Sequence, residues 1–379
     1  MVTGARLRIA GIVLTAAAAL AAAWAVSQWA ALRCAPGAVR EGKPARPVEP
    51  RVNCTSRRAG DQDDMCIWLH PADPARSTVI ASDKAAGKLF VYDLSGRVVQ
   101  RIDAAAPGNI DIRYGFPLGA GKVDVVAFNQ RTRGYRVRVY AVAANTGRLR
   151  RVDNGRITTG PNYGGTLFRS PNTGKLYFLT TSYSAGVEQY ELFDDGTGKV
   201  GGRKVRSWKL GLSEGAVGDD EAGKVYVCEE SKGVWEIGGE PTDPAPGKLV
   251  IRVGRDGLTA DVEGIALYHL PGGKGYLLVS SQGNSTFKVY RRSGGHEYVG
   301  TFAVAGVGST DGIDVTNAAL APAFPKGLFA CHNGRRSPCP VVLTPWERIA
   351  RSIRPALKVD TSWNPRKKPV KESARAAAK

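Results

Sequence analysis

A short alternating run built around an aromatic residue returns about every fifty residues, and this repeat constrains the fold more than any other feature. It reads Phe90-Val91-Tyr92-Asp93-Leu94, Val139-Tyr140-Ala141-Val142, Gln189-Tyr190-Glu191-Leu192, Val234-Trp235-Glu236-Ile237 and Val289-Tyr290, with a weaker sixth copy at Val341-Val342-Leu343. The aromatic positions 92, 140, 190, 235 and 290 stand 48, 50, 45 and 55 residues apart. Ahead of most copies runs a second strand-like segment, such as Leu176-Tyr177-Phe178-Leu179 or Tyr276-Leu277-Leu278-Val279. Gly174-Lys175, Gly223-Lys224 and Gly273-Lys274 open three of these segments as turns. A period of two belongs to strands, and a period near fifty to a supersecondary unit that cannot bury both faces alone. The expectation is an all-β fold, a six-bladed β-propeller with four-stranded antiparallel blades over residues 58–352. No long stretch has a 3.6-residue apolar period, which excludes a helix-rich parallel fold.

The 53 Lys and Arg against 34 Asp and Glu give a formal charge of +19, but the excess is not spread evenly. Residues 1–50 carry +4 and residues 348–379 carry +8, leaving +7 for 51–347. Such a body does not point to nucleic-acid binding; it suits a small anionic substrate. Arg6 and Arg8 precede an apolar run from Ile9 to Leu32, so residues 1–33 read as a signal peptide or a single membrane anchor. The expected location is outside the cell or on the outer face of the cytoplasmic membrane, with no other membrane contact and a monomeric chain. Residues 34–57 are a Pro-rich linker, and 353–379 read as a basic, loosely held tail. Six cysteines suit an oxidising compartment. Cys331 and Cys339 could close one loop disulfide and Cys54 and Cys66 a second, while Cys228 reads as a buried small hydrophobe or a partner for one of these.

Chemistry in a propeller sits around the channel, so the telling residues are polar ones near strand ends. Here they are mostly acids: Asp61, Asp63 and Asp64, Glu214, Asp219-Asp220-Glu221, Glu229-Glu230, Asp261 and Glu263, Asp311 and Asp314. Acids converging from several blades repel unless a cation intervenes, and many oxygen donors favour calcium over zinc. For Asp219 to Glu221 solvated turns are the favoured reading. Glu230 and Glu263 sit among apolar residues at strand edges, where solvation is a weaker explanation. No Gly-x-Ser-x-Gly elbow, phosphate-binding Walker loop or His-Glu-x-x-His is present. The arginine that a phosphatase cysteine loop would need after Cys331 is replaced by Ser337.

Several segments together resemble the β-propeller phytases, calcium-dependent enzymes that hydrolyse inositol hexakisphosphate. They are Asp63-Asp64-x-x-Ile67-Trp68-Leu69-x-Pro71, Asn109 to Leu118, Glu188 to Leu192, Glu214-Gly215 with Asp219-Asp220-Glu221, and Asp261-Val262-Glu263-Gly264. The likeness continues through Gly275 to Ser285, Thr310-Asp311-Gly312-Ile313-Asp314-Val315 and Pro345-Trp346-Glu347-Arg348-Ile349-Ala350. The resemblance implies several calcium ions at one end of the channel and a phosphomonoesterase that attacks phytate or a related polyphosphate with metal-activated water. It implies calcium-facing acids at Glu214, Glu230, Glu263 and Asp311 with Tyr163 beside them. Asp63, Asp261 and Gln282 would be channel ligands, Asp64 a ligand nearer the rim and Glu347 a structural one. Lys84 and Arg131 would bind phosphate, and Glu230, Tyr163, Arg131 and Lys84 would carry catalysis.

Three departures qualify it. Ala85 stands where a second lysine usually follows Lys84, Tyr183-Ser184 replace a Lys-Glu pair, and the loop before the sixth blade shrinks to Gly306-Val307-Gly308-Ser309. An anion-binding propeller stabilised by calcium but without turnover, or a propeller hydrolase for another ester, stays open on the sequence.

Overall fold

The fifty-residue repeats fold as blades in a computed structural model that describes residues 46–132 and 134–366. Blade 1 holds β2 (Asp64–Trp68), β3 (Thr78–Asp83), β4 (Lys88–Asp93) and β5 (Val98–Asp103). Blade 2 holds β6 (Pro107–Leu118), β7 (Gly121–Gln130), β8 (Arg136–Val142) and β9 (Leu149–Arg151). Blade 3 holds β10 (Gly165–Arg169), β11 (Leu176–Thr180), β12 (Val187–Asp194) and β13 (Val200–Trp208). Blade 4 holds β14 (Ser213–Asp219), β15 (Lys224–Glu229), β16 (Gly233–Gly238) and β17 (Lys248–Arg252). Blade 5 holds β18 (Val262–Leu270), β19 (Lys274–Ser281), β20 (Thr286–Arg291) and β21 (Tyr298–Phe302). Blade 6 takes β22 (Ile313–Thr316), β23 (Leu328–His332) and β24 (Val341–Pro345), and its fourth strand is β1 (Val52–Cys54), from before blade 1. Val52 pairs Leu343 and Cys54 pairs Val341, so the two ends of the domain close the ring on each other.

The repeating aromatics Tyr92, Tyr140, Tyr190, Trp235 and Tyr290 all lie on the third strand of their blades. Alternation sends successive residues of a strand to opposite blade interfaces. On β4, Phe90 and Tyr92 pack toward blade 6, while Leu89 and Val91 pack toward blade 2. Both faces of a blade are thus apolar, and one cluster fills each junction between neighbours. Trp68, Trp346 and Tyr268 are wholly buried there; each such side chain contributes about 1.5–3 kcal/mol.

Several boundaries expected from sequence move. The domain starts before residue 58, because β1 belongs to blade 6 and Val48 bridges Val304. The tail is not loose over 353–366. Leu357 is buried beside the helix α1 (Trp346–Ser352), the Trp363 ring stacks on His269 with centroids 4.0 Å apart, and Arg366 donates to Asp124 Oδ1 at 2.9 Å. The leader at 1–33 and the tail beyond 366 lie outside the described residues. Among the described residues no helix is long and apolar enough to cross a membrane.

The expected disulfides are absent: Cys54, Cys66, Cys331 and Cys339 are free thiols. The reason is strand alternation. Cys331 points into the blade 5–6 core, while its neighbour His332 turns the other way and hydrogen-bonds with Cys339. Cys54 and Cys66 likewise fall into different interblade clusters. Cys228 is fully buried in the blade 4–5 cluster, as a small hydrophobe would be.

Candidate active site

Two kinds of strand end meet at one mouth of the channel. The innermost strands β2, β6, β10, β14, β18 and β22 neighbour one another around the axis. Their first residues bring in Asp63 and Asp64, Asn109, Tyr163, Glu214, Glu263 and Asp311. The second strands run antiparallel to them and so return to the same mouth. Their ends deliver Lys84, Arg131, Tyr183, Glu230, Gln282 and His332. Acid-glycine pairs mark the neck. A Cβ on Gly215 would lie 1.9 Å from the Glu263 carbonyl oxygen, and one on Gly264 would lie 2.3 Å from that of Asp311. Only glycine lets adjacent inner strands approach this closely, and the preceding acids are thereby drawn into one ring.

One half of the ring is charge-paired. Lys84 Nζ reaches Asp63 Oδ1 at 2.5 Å, Asp311 Oδ2 at 3.0 Å and Asp61 Oδ2 at 3.3 Å. Arg131 Nη2 donates to Asp63 Oδ2 at 2.8 Å and also to Glu214. Burial alone would raise the Asp63 carboxyl, but Arg131 and Lys84 hold it below the usual carboxylate range. His332 Nδ1 accepts the Asp311 amide at 3.1 Å, and its Nε2 faces Asp61 at 3.0 Å. Burial opposes charge on this ring, yet hydrogen bonds to Asp61 and Cys339 and the charge of Asp311 push it up to about 10. Gln282 Nε2 donates to Asp311 Oδ1 at 2.6 Å.

In the other half Arg131 reaches only Glu214. Glu214, Glu230 and Glu263 are at most 7 % exposed, with one oxygen of each inside a 4.8 Å span. Among the described residues no basic side chain forms an ion pair with Glu230 or Glu263, and Glu230 Oε1 and Glu263 Oε2 have no hydrogen-bond partner. Burial, then the charges of Asp261 and Asp311, pushes Glu230 up to about 7. Burial and Asp63 push Glu214 up to about 8 against the pull of Arg131. Burial, then the charges of Glu214 and Glu230, also raise Glu263 well above the usual carboxylate range. Uncompensated buried carboxylates are costly, and a cation among them would remove the cost. Asp61, Asp63 and Asp311 form a second three-acid group.

The remaining expected residues are placed unevenly. Asp261 and Gln282 flank Glu230 and Asp311 without joining either group. Asp64 lies between inner strands, where its Oδ2 accepts the Ile110 amide at 3.0 Å. Glu347 is on α1, after β24 has run away from the mouth, so the structure does not bring it to the site. Asp219 and Asp220 are not in solvated turns. Asp219 is fully buried against Arg292, and Asp220 pairs with Arg113 at 2.8 Å. Sequence reasoning gave no role to His332 or Cys339 at the mouth, and it counted Asp61 among the strand-end acids without assigning it a ligand role. The acid-glycine recurrence was the available signal for the ring, and strand alternation for His332.

Beside Arg131 stands an aromatic stack. The guanidinium lies over the Tyr163 ring at 4.6 Å, and Tyr183 stacks on Tyr163 with centroids 3.9 Å apart and planes 23° apart. The Tyr163 hydroxyl hydrogen-bonds with Glu214. Arg131 Nε is buried and has no partner among the described residues, which leaves a cationic donor for an anion.

A family model described as Phytase matches residues 11–371. The chain belongs to the phytase family. The 3-phytase of Bacillus subtilis (strain 168) is 38 % identical over 323 residues, spanning 80 % of this chain and 84 % of that protein. The crystal structure of regucalcin from Agrobacterium tumefaciens, a calcium-binding protein, aligns with a TM-score of 0.49 at 11 % identity, covering 79 % of this chain and 95 % of its own. Membership makes the chain a phosphoric monoester hydrolase. Its mouth has what that reaction needs: cations for phosphate oxygens and acidic groups able to hold a metal ion.

Proposed function

We propose that the chain is an exported, calcium-dependent phytase that hydrolyses phytate or a related polyphosphate at this mouth. The observation that carries the reading is the buried group of Glu214, Glu230 and Glu263, in which Arg131 reaches only Glu214 and, among the described residues, no basic side chain pairs with the other two. All donors there are carboxylate oxygens, the hard ligands that calcium prefers. Calcium held by Glu214, Glu230, Glu263 and by Asp61, Asp63, Asp311, with Asp261 and Gln282 alongside, would neutralise substrate charge and lower the pKa of water.

The chain's own groups do the rest. Arg131 and Lys84 bind phosphate oxygens and screen the charge that grows on them as the ester P–O bond breaks. Both are already fixed by Asp63, so little reorganisation is needed when phosphate arrives. The Tyr163 hydroxyl, tied to Glu214, orients one wall. Trp363 and Arg366 lie across the other end of the channel, leaving the acidic mouth as the approach for substrate. Export fits a site that needs plentiful calcium.

The test is inorganic phosphate release from phytate by the full chain with calcium and with chelator. Release only with calcium is expected; release that persists in excess chelator, or none with calcium, overturns the reading.

A further inference from the structure

We infer that Tyr183 is a stacking platform that lets this site accept phosphate monoesters carrying a flat aromatic group, nucleoside monophosphates being the fitting class. The inference rests on the phosphate-ester reading of the same site and widens its substrate class.

Tyr183 is 58 % exposed, the most exposed of the large hydrophobic side chains described. A single exposed ring needs no explanation by itself; this one stands in a stack that ends on the phosphate-binding arginine. Its position is fixed, because one face lies on Tyr163 at 3.9 Å. Arg131 lies over the Tyr163 ring at 4.6 Å, and two groups cannot share one face of a single ring. Arg131, Tyr163 and Tyr183 therefore form a three-membered stack with a phosphate-binding guanidinium at one end and an open aromatic face at the other. The Tyr183 backbone is held by the turn in which Ser182 Oγ accepts the Ser184 and Ala185 amides at 3.2 and 3.0 Å. The platform is built before any ligand arrives.

The ligand follows from the geometry. Its anionic end goes to Arg131 and Lys84, and its other end must offer a π-face to Tyr183. Every nucleobase has such a face, and base–aromatic stacking is tolerant of base identity. A fully phosphorylated inositol has none, since its carbons are screened by phosphates. A polyanion would gain more from a cation at position 183 than from a phenol ring.

The test compares AMP with glycerol phosphate on the calcium-supplied full chain, for wild type, Tyr183→Ala, Tyr183→Phe and Tyr183→Lys. The ratio of kcat/KM for AMP over glycerol phosphate should fall about 10-fold in Tyr183→Ala, mainly through KM, and stay within 2-fold of wild type in Tyr183→Phe. Tyr183→Lys should lower the same ratio while raising kcat/KM for phytate. AMP affinity measured by calorimetry should weaken about 10-fold in Tyr183→Ala. This arm holds even if no ester is turned over, so loss of the hydrolase reading and loss of this one are distinguished. An unchanged AMP affinity, or a ratio that does not move in Tyr183→Ala, overturns the platform.

Discussion

The two ends of the channel are built from the same strands and the same residue types, yet they resolve charge in opposite ways. At the far end the acids are matched by arginines, Asp314 excepted, whose oxygens accept the Ile67 and Val315 amides instead. Arg113 bridges Asp111 and Asp220 at 2.9 and 2.8 Å, Arg292 holds Asp219 and Glu221 at 2.5 and 2.7 Å, and Arg366 binds Asp124 at 2.8 Å. The C-terminal segment then covers that end with Trp363. At the mouth, Glu230 and Glu263 are buried and have no counter-ion among the described residues. Matched charges hold blades together, whereas unmatched ones wait for something that the chain does not supply. Burial of an acid is therefore not the mark of a functional site; burial without a partner is.

The comparison breaks most visibly at the far end. Asp219→Ala leaves Arg292, which is 1 % exposed, with only the half-buried Glu221 as counter-charge, and should destabilise the protein by about 3 kcal/mol with or without calcium. Denaturant unfolding reads this, and a loss confined to the calcium-free protein would show that the far end, too, is a metal site. At the mouth the same kind of change should act on rate. Glu230→Gln should lower phosphate release about 100-fold while leaving stability in chelator unchanged or higher, since it relieves repulsion with Asp261 and Asp311.

pH should separate the ends by sign. Glu214 and Glu230 are pushed up to about 8 and about 7 from an ordinary 4.5. Groups so raised stabilise the fold fully below about 4.5 and lose that contribution as pH rises through 7 to 8. In chelator the melting temperature should fall by roughly 3–6 °C from pH 5 to 8, and calcium should abolish the fall; equal slopes with and without calcium would break the assignment. Glu221 moves oppositely. Burial would raise it, but His269 and Arg292 lower it to about 2, so its contribution is present above 4.5 and disappears only as pH falls toward 2. The smallest effect belongs to the covering segment. Trp363→Ala removes the stack on His269 and the bond to Glu221 at 3.0 Å and should cost about 1–2 kcal/mol. Phosphate release should stay within twofold, and a larger change would mean that the far end communicates with the mouth.

Much of this was legible in the chain. The strand period and the fifty-residue return gave six blades, Glu230 and Glu263 stood out as acids in apolar company, and the family resemblance added Glu214 and Asp311. The boundaries were less legible. Val52 to Cys54 is too short and too mixed in polarity to declare itself a strand, and it becomes one only because β24 offers an open edge. Residues 353–366 have no apolar period because Leu357, Trp363 and Arg366 each dock singly onto a surface made by other blades. The cysteine pairing failed because spacing in sequence does not report which face of a strand a thiol takes.

The amino-acid sequence by itself determined what is local: which runs are strands, where they turn, how often the unit returns, and that its apolar residues alternate to both faces. Tertiary structure decided which charges meet. Lys84 and Asp311 are 227 residues apart and Arg131 and Glu214 are 83 apart, and nothing in either neighbourhood indicates that they will touch. Whether an acid is paired depends on the closing of the ring, which brings six strand starts and six strand ends to one mouth. Asp219 reads as a turn residue and Glu230 as an acid in apolar company, and only that closure gives the first a buried arginine and leaves the second with no ion-pair partner among the described residues.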